Sequence, residues 1–204
     1  MDTVTADAPD LGLRERKKLD TREALIRAAI DLFERNGVDA TTVEEIADAV
    51  QVSARTFHRY FGAKDDVLFA HGALVREQFA ASLHSRPATE PVLDSLRAAA
   101  LEMAQRFVDE GDEERRRLRL VRSTPGLYAR NAQQGQEWSR VVADHVASRV
   151  GQAPDDPLPT LLAACTIAAL RTAVDRWIEN PDVDYRAELG RCFDLLADLR
   201  AATR

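Results

Sequence analysis

The sequence contains little cysteine, glycine or proline and few aromatic side chains. Two cysteines, Cys165 and Cys192, lie far apart in 204 residues and form no Cys-x-x-Cys pair, so we expect two buried thiols rather than a disulfide framework or a metal site. Nine glycines and eight prolines, in a chain rich in Ala, Leu, Arg, Asp and Glu, favour helices over strands. The chain has no apolar run of about 18 residues and its acidic start lacks a signal-peptide pattern, which predicts a soluble, cytoplasmic protein without a membrane partner.

The sequence also lacks the residue constellations of an enzyme. Its four histidines show no metal-ligand spacing, and no glycine-rich phosphate loop or nucleophile elbow is present. We therefore predict no catalytic residues, no metal and no cofactor.

Positive charge is scarce overall but is concentrated in two segments. The net charge of −6 argues against a generally basic nucleic-acid binder, yet binding depends on where the charges lie. Residues 14–27 hold six basic and three acidic side chains, and residues 51–64 contain Arg55, Arg59 and Lys64 without any acid. An acidic stretch, which contains Asp39, Glu44, Glu45 and Asp48, separates the two basic clusters.

Apolar spacing predicts an all-α fold of about nine helices. Asp20 with Glu23 indicates a capping box at the start of the first helix, and Asn36-Gly37 indicates its end. Residues 1–19 are then a flexible arm with a basic end. The predicted helices cover residues 20–36, 42–50, 53–62, 64–84, 92–110, 113–122, 127–150, 158–179 and 185–201.

Residues 20–63 have the organisation of a helix-turn-helix domain. Thr42 with Glu45 forms a second capping box, and Ser53 is a suitable N-cap for a third helix. Phe57 and Phe61 place one apolar stripe on that helix, with Arg55 on the opposite side. Such a face can read a major groove, in which arginine binds guanine. The alternative is the solvated polar face of an ordinary helix.

The run from Thr42 to Leu68, TVEEIADAVQVSARTFHRYFGAKDDVL, resembles the TetR-family signature over nearly its whole length. The resemblance implies an all-helical homodimer, three N-terminal helices that bind double-stranded operator DNA, and a C-terminal pocket for a small inducer. It implies that Thr42, Tyr60 and Lys64 contact phosphates of the DNA backbone. Ala54, Arg55, Thr56 and His58 match the family positions that contact base edges. The predicted DNA-binding set also includes Ser53 and Arg59. Some family members have a basic extension before the first helix, and it matches Arg14, Arg16, Lys17 and Lys18.

Two positions depart from the family pattern. Gln51 stands where the family usually has glycine, so a left-handed conformation there carries some strain. His58 replaces the usual tyrosine, which alters base preference and introduces a mild pH sensitivity if the imidazole nears a phosphate.

Residues 64–204 form the predicted ligand-binding and dimerisation domain, with residues 64–84 as a connector helix. The segment 115–130, together with Trp138 and Trp177, is similar to regulators of the mycofactocin-system type, and that resemblance suggests acyl-CoA effectors. Apolar side chains would hold the acyl chain, and arginines including Arg116 would meet phosphates. In the alternative interpretation, these apolar side chains are simply the core of the helical bundle, and the arginines pair with the acidic residues between positions 109 and 114. The candidate ligand residues are Leu96, Met103, Phe107, Arg115, Leu118, Arg119, Val121, Arg122, Trp138, Leu170 and Val174.

The last two helices carry more apolar surface than a terminal hairpin can bury. We therefore expect a homodimer through a four-helix interface, with domain core alone as the alternative. The expected function is a repressor that leaves its operator when a small apolar molecule binds. The alternative function is a helical ligand-binding or protein-interaction module that has lost DNA affinity.

Overall fold

The computed structural model describes residues 12–198, apart from the side chains of residues 106 and 108–110. This part of the chain forms eight α-helices and one 3-10 helix and no strand, which confirms the all-α prediction. The described part of the chain divides into two compact units, with the boundary between Ala70 and His71. The first contains α1 (Leu13–Asn36), α2 (Val43–Ala49), α3 (Ala54–His58) and the 3-10 helix (Lys64–Phe69), and the second contains α4 (Gly72–Ser85), α5 (Val92–Ser123), α6 (Pro125–Val150), α7 (Pro157–Glu179) and α8 (Tyr185–Ala197).

The first helix begins earlier than its apparent capping box. Residues 13–19, predicted as part of a flexible arm, are the first two turns of α1. The hydroxyl of Thr21 donates to the Lys17 carbonyl at 2.8 Å, and Lys18 lies 3.9 Å from Glu15 on the same helix. Arginine, lysine, glutamate and leucine all favour helix, so nothing local stops α1 at Asp20. Residues 1–11 of the predicted arm lie outside the described residues.

The predicted single connector helix over residues 64–84 is wrong. The 3-10 helix ends at Phe69 and α4 begins at Gly72. The Arg22 guanidinium of α1 donates to the Ala70 carbonyl at 2.6 Å. A continuous helix would use that carbonyl for its own i to i+4 hydrogen bond, so the contact with Arg22 favours a break there.

Other helix ends follow local backbone conformations. Gly111 lies within α5 at φ 48° and ψ −119°, which confirms the predicted break between the segments 92–110 and 113–122. Gln51 adopts φ 58° in the turn between α2 and α3, as expected for a position where glycine is usual. The third helix ends at His58 rather than Gly62.

Each unit has its own apolar core. In the first unit, α1 packs on α2 and the 3-10 helix, and Phe57 of α3 completes the core. In the second, α5 to α8 form a bundle with α4 against α5 and α6. Cys192 is buried there, whereas Cys165 is only half-buried, so the prediction of two buried thiols holds for one of them. The largest fully buried side chains are Tyr185, Phe33, Phe57, Phe79, Phe193, Leu25, Ile26, Ile30, Ile46, Leu68, Leu83 and Leu96.

A histidine is buried between two helices of the second unit. His145 of α6 is 8% exposed, and its Nε2 lies 2.9 Å from the Ser95 hydroxyl of α5. Because that hydroxyl donates to the Val92 carbonyl at 2.7 Å, it accepts the Nε2 proton of a neutral imidazole. Burial is the main cause that lowers the pKa of His145, with the nearby charge of Arg149 adding to it, and Glu90 opposes them. The folded protein therefore favours the neutral form.

We expect the free energy of unfolding to decrease as pH falls below about 6.5. His145 has a lower pKa folded than unfolded, so the unfolded chain takes up its proton first. The contribution of neutral His145 to the free energy of unfolding is complete above the pKa of the unfolded state. It is lost as pH falls towards the pKa of the folded state, at no more than about 1.4 kcal/mol per pH unit. Urea unfolding at pH 7.5 and 5.5 measures it. His145→Gln should flatten this dependence, and the exposed-site control His58→Gln should retain it; a flat wild-type profile contradicts the prediction.

Candidate nucleic-acid interface and ligand cavity

A capping box fixes the start of α2. The Thr42 hydroxyl accepts from the Glu45 amide at 3.2 Å, and the Glu45 carboxylate accepts from the Thr42 amide at 2.8 Å. Two backbone donors that a helix start leaves unpaired are thereby satisfied, which holds this short helix in place. The Thr42 side chain remains exposed at the helix start.

The third helix presents its polar side to solvent. Ser53 caps it by accepting from the Thr56 amide at 3.1 Å. Phe57 and Phe61 are buried, with ring centroids 5.3 Å apart, so Arg55 and His58 are exposed. The Arg55 guanidinium forms no ion pair or hydrogen bond with another residue in the described part of the chain. Five donors are thus available on this face.

Tyr60 and Arg59 support each other at the end of this surface. The Arg59 guanidinium carbon lies 5.1 Å from the centroid of the Tyr60 ring, and Nη2 lies 3.4 Å from the phenol oxygen. A cation above the ring face is attracted by the ring's quadrupole. The pair therefore offers a cation and a hydroxyl side by side.

Lys64 contacts the protein's own backbone. Its ammonium donates to the carbonyls of Asp39 at 2.9 Å and Thr41 at 2.7 Å, in the loop between α1 and α2. The family resemblance assigns this lysine to a phosphate, but two of its three donors are engaged within the first unit. In this structure Lys64 joins the start of the 3-10 helix to the loop before α2.

Replacing Lys64 should destabilise the first unit. We expect Lys64→Met to lower the free energy of unfolding by about 2 kcal/mol, because it removes two hydrogen bonds from a charged donor, of which the one to the Thr41 carbonyl is partly buried. Urea unfolding followed by circular dichroism measures the loss. Lys17→Met, at an exposed position of α1, should leave the midpoint within experimental error. Equal midpoints for Lys64→Met and wild type would disprove this role.

The four basic residues predicted before the first helix lie within it. All are exposed on the first two turns of α1. They form a helical basic segment rather than an extended one, so their spacing is fixed by the helix rise of about 1.5 Å per residue. These residues are Arg14, Arg16, Lys17 and Lys18.

The second unit contains a partly open cavity of about 420 Å³. Side chains of α5, α6 and α7 form most of its wall, with Val75 from α4 and Tyr185 from α8. Its volume is in the range of small-molecule sites. The lining residues are Val75, Met103, Phe107, Leu118, Val121, Arg122, Tyr128, Asn131, Ala132, Gln134, Gly135, Gln136, Trp138, Ser139, Ile167, Leu170, Arg171, Val174, Asp175, Ile178 and Tyr185.

Aromatic rings form part of the wall. The rings of Phe107 and Tyr185 lie 5.0 Å apart, and Tyr185 is also 5.5 Å from Trp177 behind it. The Trp138 ring packs 5.6 Å from Phe79. Burial raises the pKa of the Tyr185 hydroxyl, so that group stays neutral. These packed rings give this part of the cavity wall an apolar surface.

Both units match known families. Residues 25–71 match the model described as bacterial regulatory proteins, tetR family, and residues 90–201 match the MftR C-terminal domain. The chain belongs to the TetR family of transcriptional regulators. The prediction that it is not an enzyme is confirmed, because the matched families and curated relatives are regulators.

Curated relatives resemble this TetR-family chain along most of its length. It is 35% identical to the HTH-type transcriptional regulator TcmR of Streptomyces glaucescens, over 92% of this chain and 89% of the relative. It is 27% identical to the mycofactocin biosynthesis transcriptional regulator MftR of Mycobacterium tuberculosis, over 89% and 91%.

Solved structures share the fold of this TetR-family chain. FadR of Thermus thermophilus is 25% identical with a TM-score of 0.58, over 87% of this chain and 93% of that one. NalD of Pseudomonas aeruginosa is 22% identical with a TM-score of 0.63, over 91% and 96%.

Eight of the eleven ligand residues expected in the TetR-family chain lie in the cavity wall. The other three lie elsewhere: Leu96 is fully buried in the core, Arg119 is exposed away from the wall, and Arg115 covers Trp177 with its guanidinium carbon 4.6 Å from the ring centroid. The eight are Met103, Phe107, Leu118, Val121, Arg122, Trp138, Leu170 and Val174.

Several wall residues were missed. Ile167 and Ile178 continue the spacing of Leu170 and Val174 along α7, so helical periodicity alone would have found them. Tyr185 begins α8 and reaches the cavity through tertiary packing, which spacing does not predict.

The predicted arginine cluster is dispersed. Arg122 of α5 forms ion pairs with Asp175 and, at 3.1 Å, with Glu179, both on α7. Arg117, which was not part of the predicted cluster, pairs with Glu114 on its own helix at 2.5 Å. Phosphate binding by Arg122 would therefore compete with two carboxylates already in contact with it.

Proposed function

We propose that this TetR-family protein is a cytoplasmic repressor that binds operator DNA as a homodimer. It leaves the operator when a small apolar molecule fills the cavity of the second unit, and acyl-CoA thioesters are the first class to test. The observation that carries the proposal is the apolar cavity of about 420 Å³, large enough for an acyl chain. FadR of Thermus thermophilus, a repressor of similar fold, was solved with lauroyl-CoA.

In this proposal α3 lies in the major groove. Arg55 reads guanine through O6 and N7, while Thr56 and His58 contact neighbouring base edges. Thr42 and Tyr60 contact phosphates, which set the position of the helix without reading sequence. Two copies of α3 then occupy successive major grooves about one helical turn apart.

The dimer interface is proposed on the exposed side of α7 and α8. Leu161 of α7 is 61% exposed and Leu195 of α8 is 59% exposed. Ala164 and Ala168 continue the exposed stripe of α7 at helical spacing. Only 28% of the most apolar 18-residue stretch of α7 is buried within the chain. By length and composition alone this helix is apolar enough to cross a membrane, as the core helices of soluble proteins often are. A second copy of the chain would cover this surface.

The proposed switch follows from unequal ligand affinity. A ligand that binds the DNA-incompetent dimer more tightly shifts the population towards it and releases the operator. The free energy available to shift this equilibrium equals the difference between the ligand's binding free energies for the DNA-incompetent and the DNA-competent dimer. The cavity must therefore differ in shape between these two states. Side chains from five helices line it, and a change in their packing is sufficient.

Binding of the purified protein to its upstream intergenic DNA tests the proposal. Fluorescence anisotropy across a salt series, with and without acyl-CoA thioesters of increasing chain length, measures affinity and release. We expect specific binding that weakens steeply with salt, because phosphate contacts release counterions. Release by one chain length supports the effector class. Binding that no thioester changes overturns the effector assignment, and absence of specific binding to any promoter DNA overturns the repressor.

A further inference from the structure

Arg171 is the lining cation without a partner in the described part of the chain. It lies on α7 beside the apolar lining residues Leu170 and Val174 and is exposed. No described residue forms an ion pair or hydrogen bond with its guanidinium. The other lining arginine, Arg122, is held by Asp175 and Glu179.

The charge of the wall is therefore unbalanced at Arg171. Asp175 is the acidic lining residue, and Arg122 already neutralises it. Because Arg171 lines the same cavity as Leu170 and Val174, a ligand whose apolar part lies against those two residues can place a polar group near its guanidinium. An anion opposite an unpaired guanidinium gains charge-assisted, bidentate hydrogen bonds. A cationic ligand would be repelled there.

We propose that the cavity takes an amphipathic anion whose apolar body lies among Leu170, Val174 and the aromatic wall and whose negative group is bound by Arg171. This rests on the proposed function and gives its effector a chemical class. A carboxylate of a free acid and a phosphate of a CoA thioester share this chemistry. Arg171 is then the residue that determines specificity, in place of the arginines of the segment 115–122.

Calorimetric titration of the full-length protein separates these chemistries. The probes share a twelve-carbon chain and are used below their aggregation concentrations: dodecanoate, 1-dodecanol, dodecylamine and lauroyl-CoA. The variants are Arg171→Gln and the control Arg140→Gln, which removes an exposed arginine of α6 that does not line the cavity. Arg171→Lys tests whether a point charge suffices.

We expect dodecanoate or lauroyl-CoA to bind about 10- to 100-fold more tightly than 1-dodecanol, the effect of hydrogen bonds to a charged group. Arg171→Gln should abolish that preference while leaving the affinity for 1-dodecanol unchanged, and Arg140→Gln should behave as wild type. Arg171 dependence for dodecanoate alone identifies a free acid as the ligand, and dependence for lauroyl-CoA alone identifies the phosphates.

Equal affinity for the anions and 1-dodecanol overturns this inference and leaves the apolar effector in place. Tighter binding of dodecylamine, or an anion preference that survives in Arg171→Gln, also overturns it. If none of the four probes binds, the apolar effector of the proposed function fails together with the inference.

Discussion

We expect Arg55→Ala to lower operator affinity by about 2 to 6 kcal/mol and to relax sequence preference in both half-sites of the proposed operator. Each bidentate contact between arginine and guanine discriminates by about 1 to 3 kcal/mol, and the proposed dimer would make it twice. The Arg55 guanidinium is exposed and forms no ion pair within the described residues, so no intramolecular contact has to break before it binds a base. The loss should therefore appear in specific binding, while salt-dependent binding to unrelated DNA changes little.

Anisotropy with operator and scrambled duplexes at one salt concentration measures this loss. Arg35→Ala is a suitable control, because Arg35 is exposed near the end of α1 and its contact with Asp31 spans 3.8 Å. Full operator affinity and unchanged sequence preference in Arg55→Ala would mean that α3 does not read DNA through this residue. Equal losses for Arg35→Ala would indicate a general effect of positive charge.

Leu161→Lys should convert the proposed dimer to monomers and reduce operator affinity at least about 100-fold. In a two-fold interface the substitution places a lysine on each side of the same contact, and burying unpaired charge costs several kcal/mol. The monomer retains one α3 and loses the second half-site. Because Leu161 is 61% exposed in the single chain, the fold of the monomer should be unaffected.

Sedimentation velocity at micromolar concentration tests the Leu161 prediction. Leu74→Lys is its control, since Leu74 is a 48% exposed leucine of α4, outside the proposed interface. Circular dichroism of both variants should match wild type. A Leu161→Lys protein that sediments as a dimer rejects the interface on α7, and a monomeric wild type rejects the homodimer.

The helix-turn-helix was predictable because its signals are local. The capping box at Thr42, the N-cap at Ser53 and the four-residue spacing of Phe57 and Phe61 each act within one turn of the chain. The apparent box at Asp20 was misleading for the same reason. A capping pair also fits inside a helix when the residues before it are good helix formers.

Contacts between distant residues account for what the sequence did not predict. The break before α4 coincides with a hydrogen bond from Arg22, which lies 48 residues before Ala70. Leu96 and Leu118 are chemically equivalent, yet helix packing places one in the core and the other in the cavity wall. The Arg115 guanidinium lies over the Trp177 ring. The sequence did not predict this contact, because Arg115 stands in a run of arginines that looks like a charged surface.

The positions of the two tryptophans have a spectroscopic consequence. Trp138 and Trp177 both lie in the second unit, and the sequence has no other tryptophan. Indole emission during unfolding therefore follows that unit alone, whereas far-ultraviolet ellipticity follows the helices of both. Coincident transitions would mean that the two units unfold together, and separated transitions would assign each unit its own stability.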